Sequence, residues 1–273
     1  MDSGVRCHVW TPDRSPRALL LLQHGFGEYA ERYVAHHRGI VPRLTALGFE
    51  VWAPDLRGHG GSPGVRGLTD VELAVRDHVT LRRALAERST PILLFGHSLG
   101  GLVTAGSLAE EPGGVAGVVL TGPALPAARS MPVRAIIGLL AAVVPSAPAP
   151  GRRSPLSELA RDPHVGSTFA NDPHCYQGGI PLLLAATALR VAATVRKGLP
   201  GWTAPTLVVH GTADTYTDHH GSIELVRNIA VSDKTLHLVD GGRHESLHDV
   251  PNDDTVDLVL DWLAAHAALD DRP

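Results

Sequence analysis

Residues 96–100 read Gly-His-Ser-Leu-Gly, a serine between two glycines at G-x-S-x-G spacing. A serine hydroxyl is a weak nucleophile at neutral pH. It needs a base to take its proton and an acid to orient that base. In a strand–turn–helix elbow these partners lie downstream, the acid before the histidine. Asp214 lies in His210-Gly211-Thr212-Ala213-Asp214, just past an apolar run. Asp218 is the rival acid, but it stands where a helix N-cap is expected. His244 follows the turn Asp240-Gly241-Gly242-Arg243, and His248 is the rival base four residues on. Two backbone N–H groups must hold the oxygen of a tetrahedral intermediate. Leu99, directly after the serine, supplies one. Phe26, in His24-Gly25-Phe26-Gly27, supplies the other. The pair Asp218 and His219-His220 could suggest a metal, but no third ligand stands at metal spacing. No metal and no cofactor are expected.

The elements around these residues fit that chemistry. Apolar runs at 5–10, 18–23, 49–53, 91–95, 115–120, 206–209 and 235–239 read as strands. Helical spacing covers 31–47, 71–88, 99–109, 220–230 and 255–267. A strand ends just before Ser98 and a helix begins just after it, as an elbow requires. Alternating strands and helices predict parallel pairing, and continuous apolar strands predict helices on both faces. The fold class is α/β: a mostly parallel, doubly wound sheet.

Between 123 and 203 the rhythm breaks. This stretch holds Pro145, Pro148 and Pro150 and two apolar helical patterns, 133–144 and 181–195. It reads as a helical cap inserted in the sheet domain. The expected organisation is a core first part at 1–122, a cap at 123–203 and a core second part at 204–273. Ile136, Ile137, Leu139, Leu140, Val143 and Val144 make an apolar stripe too wide for an ordinary surface helix. Three roles suit it: Ile137 and Leu140 lining an acyl channel, the stripe resting transiently on a membrane or micelle surface, or the stripe burying itself within the cap.

Composition excludes several classes. The chain has 273 residues, 44% of them hydrophobic and 19% charged, so it can bury a core. A net charge of −4 offers no basic field for a polyphosphate, so nucleic acid is not an expected partner. Two cysteines cannot build a disulfide framework. The N-terminal stretch lacks an apolar signal core, and no apolar run is long enough to cross a bilayer. A cytoplasmic protein, at most peripherally bound to membrane, is the expectation.

Three segments resemble the monoacylglycerol lipases of the α/β-hydrolase superfamily. Residues 24–33, HGFGEYAERY, resemble their HGxGExxxRY segment. Residues 55–62, DLRGHGGS, resemble their D-x-R-G-H-G-x-S loop, and residues 96–101, GHSLGG, their GHSMGG elbow. Cap pieces at 159–163 and 171–173 also match. The resemblance implies an α/β-hydrolase fold, a lipid or other small ester substrate, Ser98, Asp214 and His244 as the triad, and Phe26 and Leu99 as oxyanion donors. Glu28 and Arg32 match a polar pair that braces the loop beside the substrate, although their i, i+4 spacing equally suits a plain helix ion pair. His59 reads as structural. Phe26, Leu99 and His174 depart from the usual residues and bear on substrate more than on reaction. Lysophospholipase, small-ester esterase, thioesterase, peptidase, perhydrolase and non-catalytic binding protein are the alternatives on this scaffold.

Overall fold

The computed structural model describes residues 4–151, 154–249 and 253–267. Seven strands form one sheet in the order β1-β3-β2-β4-β5-β6-β7. They are β1 Cys7–Trp10, β2 Ala18–Gln23, β3 Phe49–Pro54, β4 Ile92–His97, β5 Gly117–Thr121, β6 Thr206–Gly211 and β7 Lys234–Val239. β1 runs antiparallel to β3, and every other pairing is parallel. The strand order reverses at β2 and β4, where an open parallel sheet leaves a crevice at its carboxyl ends.

Side-chain alternation divides the core between the two faces. Leu19 and Leu21 of β2 enter one layer, Leu20 and Leu22 the other. The first layer lies under α3 (Val71–Ala86), α4 (Leu99–Glu110) and α7 (Leu182–Gly198). The second lies under α1 (Arg32–Ala35), α2 (Ile40–Ala46) and α9 (Asp253–His266). All six residues of β2 and of β4 are buried, which is why neither strand shows a polar face in the sequence.

The single helix expected over 31–47 is two helices. His37, Arg38 and Gly39 take left-handed φ values of 50°, 57° and 60°, and the chain turns there between α1 and α2. Only the glycine announces such a turn in the sequence.

The segment between β5 and β6 carries α5 (Met131–Val143), α6 (Pro163–Asn171) and α7. α7 packs against α3 and α4, and its Leu184, Ala188, Val191 and Val195 belong to the first core layer. The end of this segment is therefore built into the sheet domain. α5 rests on α7 through Ala141, Leu182 and Ala186, with Ile137 against them. α6 holds a separate small cluster of Leu159, Ala160, Val165, Phe169 and Cys175. No described helix is long and apolar enough to cross a membrane.

Candidate active site

Ser98 sits between β4 and α4 with φ 54° and ψ −118°, a conformation that side chains other than glycine rarely take. The flanking structure imposes it. The Ser98 N–H donates to the Thr121 carbonyl at 2.9 Å, and the Ser98 carbonyl accepts from Ala124 N–H at 2.9 Å. A β-carbon at Gly100 would collide with the carbonyl oxygens of Gln23 and His24 at the end of β2. The second glycine thus lets α4 start close against the neighbouring strand.

His244 and Asp214 complete a relay. His244 Nε2 lies 2.9 Å from Ser98 Oγ, and Nδ1 lies 2.8 Å from Asp214 Oδ2. Asp214 Oδ1 accepts the Tyr216 and Thr217 amides at 2.7 and 3.0 Å. Its Oδ2 accepts the Thr217 hydroxyl at 2.6 Å and lies 3.2 Å from His210 Nε2. Burial pushes the Asp214 carboxyl up, but His244, His210 and Thr217 outweigh it and hold the group far below the usual carboxylate range. Burial pushes His244 down, Asp214 outweighs that, and the net shift is upward. The Tyr216 ring stacks on the His244 ring at 5.0 Å between centroids.

The two rivals stand elsewhere. Asp218 caps α8 (His219–Asn228), accepting the His220 amide at 2.9 Å, and is largely exposed. His248 Nδ1 pairs with Glu245 Oε2 at 2.8 Å.

The loop after β2 carries Phe26. Gly27 follows it at φ 85°, and a β-carbon there would stand 2.7 Å from the Tyr176 carbonyl oxygen. Gly27 N–H donates to His59 Nε2 at 3.0 Å, and its carbonyl accepts the Tyr176 amide at 2.7 Å. His24 Nε2 accepts the Leu56 amide at 2.9 Å. Burial and the neighbouring His24 push His59 down to about 3, so its ring is neutral and can accept. The loops at 24–27 and 55–62 are thus sewn together behind the site. Leu99 is the first residue of α4, so its amide is among those with no partner inside the helix.

These residues share a family. The Hydrolase_4 model (serine aminopeptidase, S33) matches residues 14–251. The chain belongs to this family. It is 34% identical over 270 residues to the monoacylglycerol lipase of Mycolicibacterium smegmatis, covering 96% of this chain and 94% of that one. It is 32% identical to the monoglyceride lipase of Mus musculus, covering 90% of this chain and 81% of that one. The crystal structure of Paleococcus ferrophilus monoacylglycerol lipase superimposes with a TM-score of 0.84 at 30% identity, over 96% of this chain and 99% of that chain. The fold is the α/β-hydrolase fold.

In this Hydrolase_4 member Ser98 and His244 open on a cavity of about 160 Å³. Phe26, Leu99, Leu156, Leu159, Phe169, Ile180 and Leu184 form apolar walls, and Tyr216, Thr217, Glu28 and Glu245 the polar ones. Ile137 and Leu140 are not among its walls. Leu140 faces solvent on α5 and Ile137 packs inside the 123–203 segment, because α5 uses its narrow Ala141 side against α7 and turns its stripe outward. The expectation that these two line an acyl channel is corrected accordingly.

Glu28 and Arg32 are not a surface pair, since they are 3% and 1% exposed. Glu28 Oε1 accepts the Gly25 amide at 2.8 Å and the Tyr33 hydroxyl at 2.6 Å, so it braces the loop that carries Phe26. Arg32 lies 3.5 Å from Glu28, 3.9 Å from Glu245 and 5.0 Å over the Phe169 ring. Burial pushes the Glu28 carboxyl up, but His37, His97 and Arg32 bring it well below the usual range.

Sequence reasoning missed Tyr216, Thr217 and His210 around Asp214, and Glu245 behind His244. Thr217 and Tyr216 lie within three residues of Asp214, so an acid-anchoring turn was the available signal. Glu245 carried no signal beyond its position next to His244.

Proposed function

We propose that the protein is a serine carboxylic-ester hydrolase that cleaves monoacylglycerols to a fatty acid and glycerol. The observation that carries the reading is the Ser98–His244–Asp214 relay at the base of a largely apolar cavity. The monoacylglycerol lipases among its relatives give the substrate class further support. His244 takes the Ser98 proton as Oγ attacks the ester carbonyl. The Phe26 and Leu99 amides receive the oxyanion. Protonated His244 then gives its proton to the leaving glycerol oxygen. Asp214 holds the imidazole in the tautomer with Nδ1 protonated and stabilises its charged form. Water activated by the same histidine releases the fatty acid. Glu28 acts on this chemistry through the loop it braces.

The test is turnover of a 1-monoacylglycerol series from short to long acyl chains, beside short activated esters, thioesters and aminoacyl amides. The expected result is preference for glycerol esters of medium or long chain. Hydrolysis confined to activated short esters, or to amides, would remove the lipid assignment.

α5 adds a way to reach such substrates. Met131, Ile136, Leu139 and Val143 are 73%, 59%, 68% and 72% exposed, a continuous apolar strip. This strip is suited to a lipid aggregate, and Ile180, at the cavity wall, is half exposed as well. Leu139→Asp with Val143→Asp should abolish flotation with neutral phospholipid vesicles and leave hydrolysis of a dissolved short ester unchanged. Equal flotation by this variant and the wild type would rule the contact out.

A further inference from the structure

We propose that His37, Glu245 and His248 form a binding site for a divalent transition metal of the Zn²⁺ class, set behind the His244 imidazole, and that the bound metal inhibits the enzyme. This departs from the expectation of no metal, which weighed only the 218–220 cluster.

The ligand atoms are already gathered. One ring nitrogen from each histidine and one Glu245 carboxylate oxygen all lie within 4.8 Å of one another. Zn²⁺, with bonds of about 2.0–2.2 Å, can draw such a set together. Two imidazoles and a carboxylate suit Zn²⁺ and its neighbours, whereas Mg²⁺ and Ca²⁺ prefer oxygen alone.

The hydrogen bonding orients His37 as a ligand. Its Nε2 lies 2.9 Å from Glu28 Oε2. An ionised carboxylate only accepts, so Nε2 carries the proton. In the neutral ring this leaves a lone pair on Nδ1, which stands 4.0 Å from Glu245 Oε2. At that distance the two share no hydrogen bond; Glu245 Oε2 faces His248 Nδ1 at 2.8 Å instead, and a cation among the three would be held by both rings and the carboxylate. A carboxylate behind the distal ring nitrogen is the usual support of a metal-bound histidine.

The backbone supplies an independent observation. Among the described residues only three other than glycine have positive φ: Ser98, His37 and Arg38. Ser98 is the proposed nucleophile. His37 takes its positive φ at the turn between α1 and α2, and its ring lies between Glu28 and Glu245.

The site has an entrance. The His248 side chain is 14% exposed, and the His36 ring lies 6.1 Å from its ring, close enough to become a fourth ligand in place of water. His248 Nδ1 lies 2.8 Å from Glu245 Oε2 and 3.3 Å from the His37 amide, and any proton held between ring and carboxylate leaves to solvent when the metal binds. The His97 ring centroid stands 5.4 Å from that of His37 and 5.1 Å from that of His244, so the metal's charge reaches His244 across one intervening ring. That charge opposes the imidazolium formed during turnover. The inhibitory part rests on the proposed role of His244; the binding part does not.

The experiment titrates the chelator-treated protein with Co²⁺, then displaces it with Zn²⁺, and measures turnover at each Zn²⁺ concentration. Bound Co²⁺ should show visible absorption of a low-coordinate site with nitrogen ligands. His248→Asn, which keeps a donor toward Glu245, should lose that absorption, weaken Zn²⁺ by more than about tenfold and resist inhibition. His219→Ala with His220→Ala, removing the partly exposed Asp218-His219-His220 cluster, should change none of the three. Wild-type inhibition should reverse with EDTA. Absence of Co²⁺ and Zn²⁺ uptake would overturn the proposal. Uptake that survives His248→Asn but is lost in the 219/220 variant would overturn it too. Zn²⁺ bound here without loss of turnover would remove the inhibitory role. An inactive wild type that still binds Co²⁺ through His248 would refute the hydrolase reading and keep the site.

Discussion

Ser98→Ala is expected to lower kcat/KM for monoacylglycerol hydrolysis by about 10⁴–10⁶-fold. The removed oxygen is the atom that would form the acyl-enzyme, and it is the one His244 Nε2 faces at 2.9 Å. The cavity walls and the proposed oxyanion donors, the Phe26 and Leu99 amides, remain, so residual turnover above the uncatalysed rate is expected. The fold should survive. Ser98 makes its backbone bonds to Thr121 and Ala124 whatever its side chain, and alanine suits the left-handed conformation no worse than serine. Thermal unfolding should therefore shift little while activity collapses. A folded variant that keeps a rate within tenfold of the wild type would mean that Ser98 is not the nucleophile.

Asp214→Asn should cost about 10⁴-fold in kcat, with a smaller change in KM. Asp214 Oδ2 accepts from the Thr217 hydroxyl and faces the ring nitrogens of His210 and His244. Asparagine replaces one carboxylate oxygen by a donor and removes the charge. With the donor toward Nδ1, the imidazole is driven to the tautomer that presents N–H to Ser98, and it can no longer accept the serine proton. The charged form of His244 also loses its counter-ion in a buried setting. Asp218→Ala is the paired control. It removes the cap of α8 and an exposed contact with the His220 ring, so it should lower stability by about 1 kcal/mol and leave turnover near the wild-type level. Loss of activity in Asp218→Ala with retention in Asp214→Asn would reverse the assignment of the acid.

Much of this arrangement is written locally. Period and composition mark the strands, because buried parallel strands are apolar throughout and their connections need helices. The elbow is legible because its glycines answer a short-range demand: α4 must start against the end of β2. Glu28 and Arg32 show where local reading stops. Their i, i+4 spacing permits a surface pair, and only the packing of α6 and the 244–249 turn over them makes both buried. α5 shows the same limit. Its stripe is plain in the sequence, but a stripe does not say whether it faces a cavity or solvent.

The sequence by itself determined the α/β class, the succession of the seven strands, the elbow at Ser98 and the short set of acids and histidines able to serve it. Each of these depends on neighbours within a few turns of chain. The tertiary structure alone decided that Asp214 and His244 meet while Asp218 and His248 do not, that α5 turns outward, and that His37, Glu245 and His248 converge behind the site. Ser98 and His244 are 146 residues apart in the chain, and His37 and His248 are 211 apart. Contacts of that separation are set by how the sheet orders its strands and how layers pack across it, and no local pattern of residues records them.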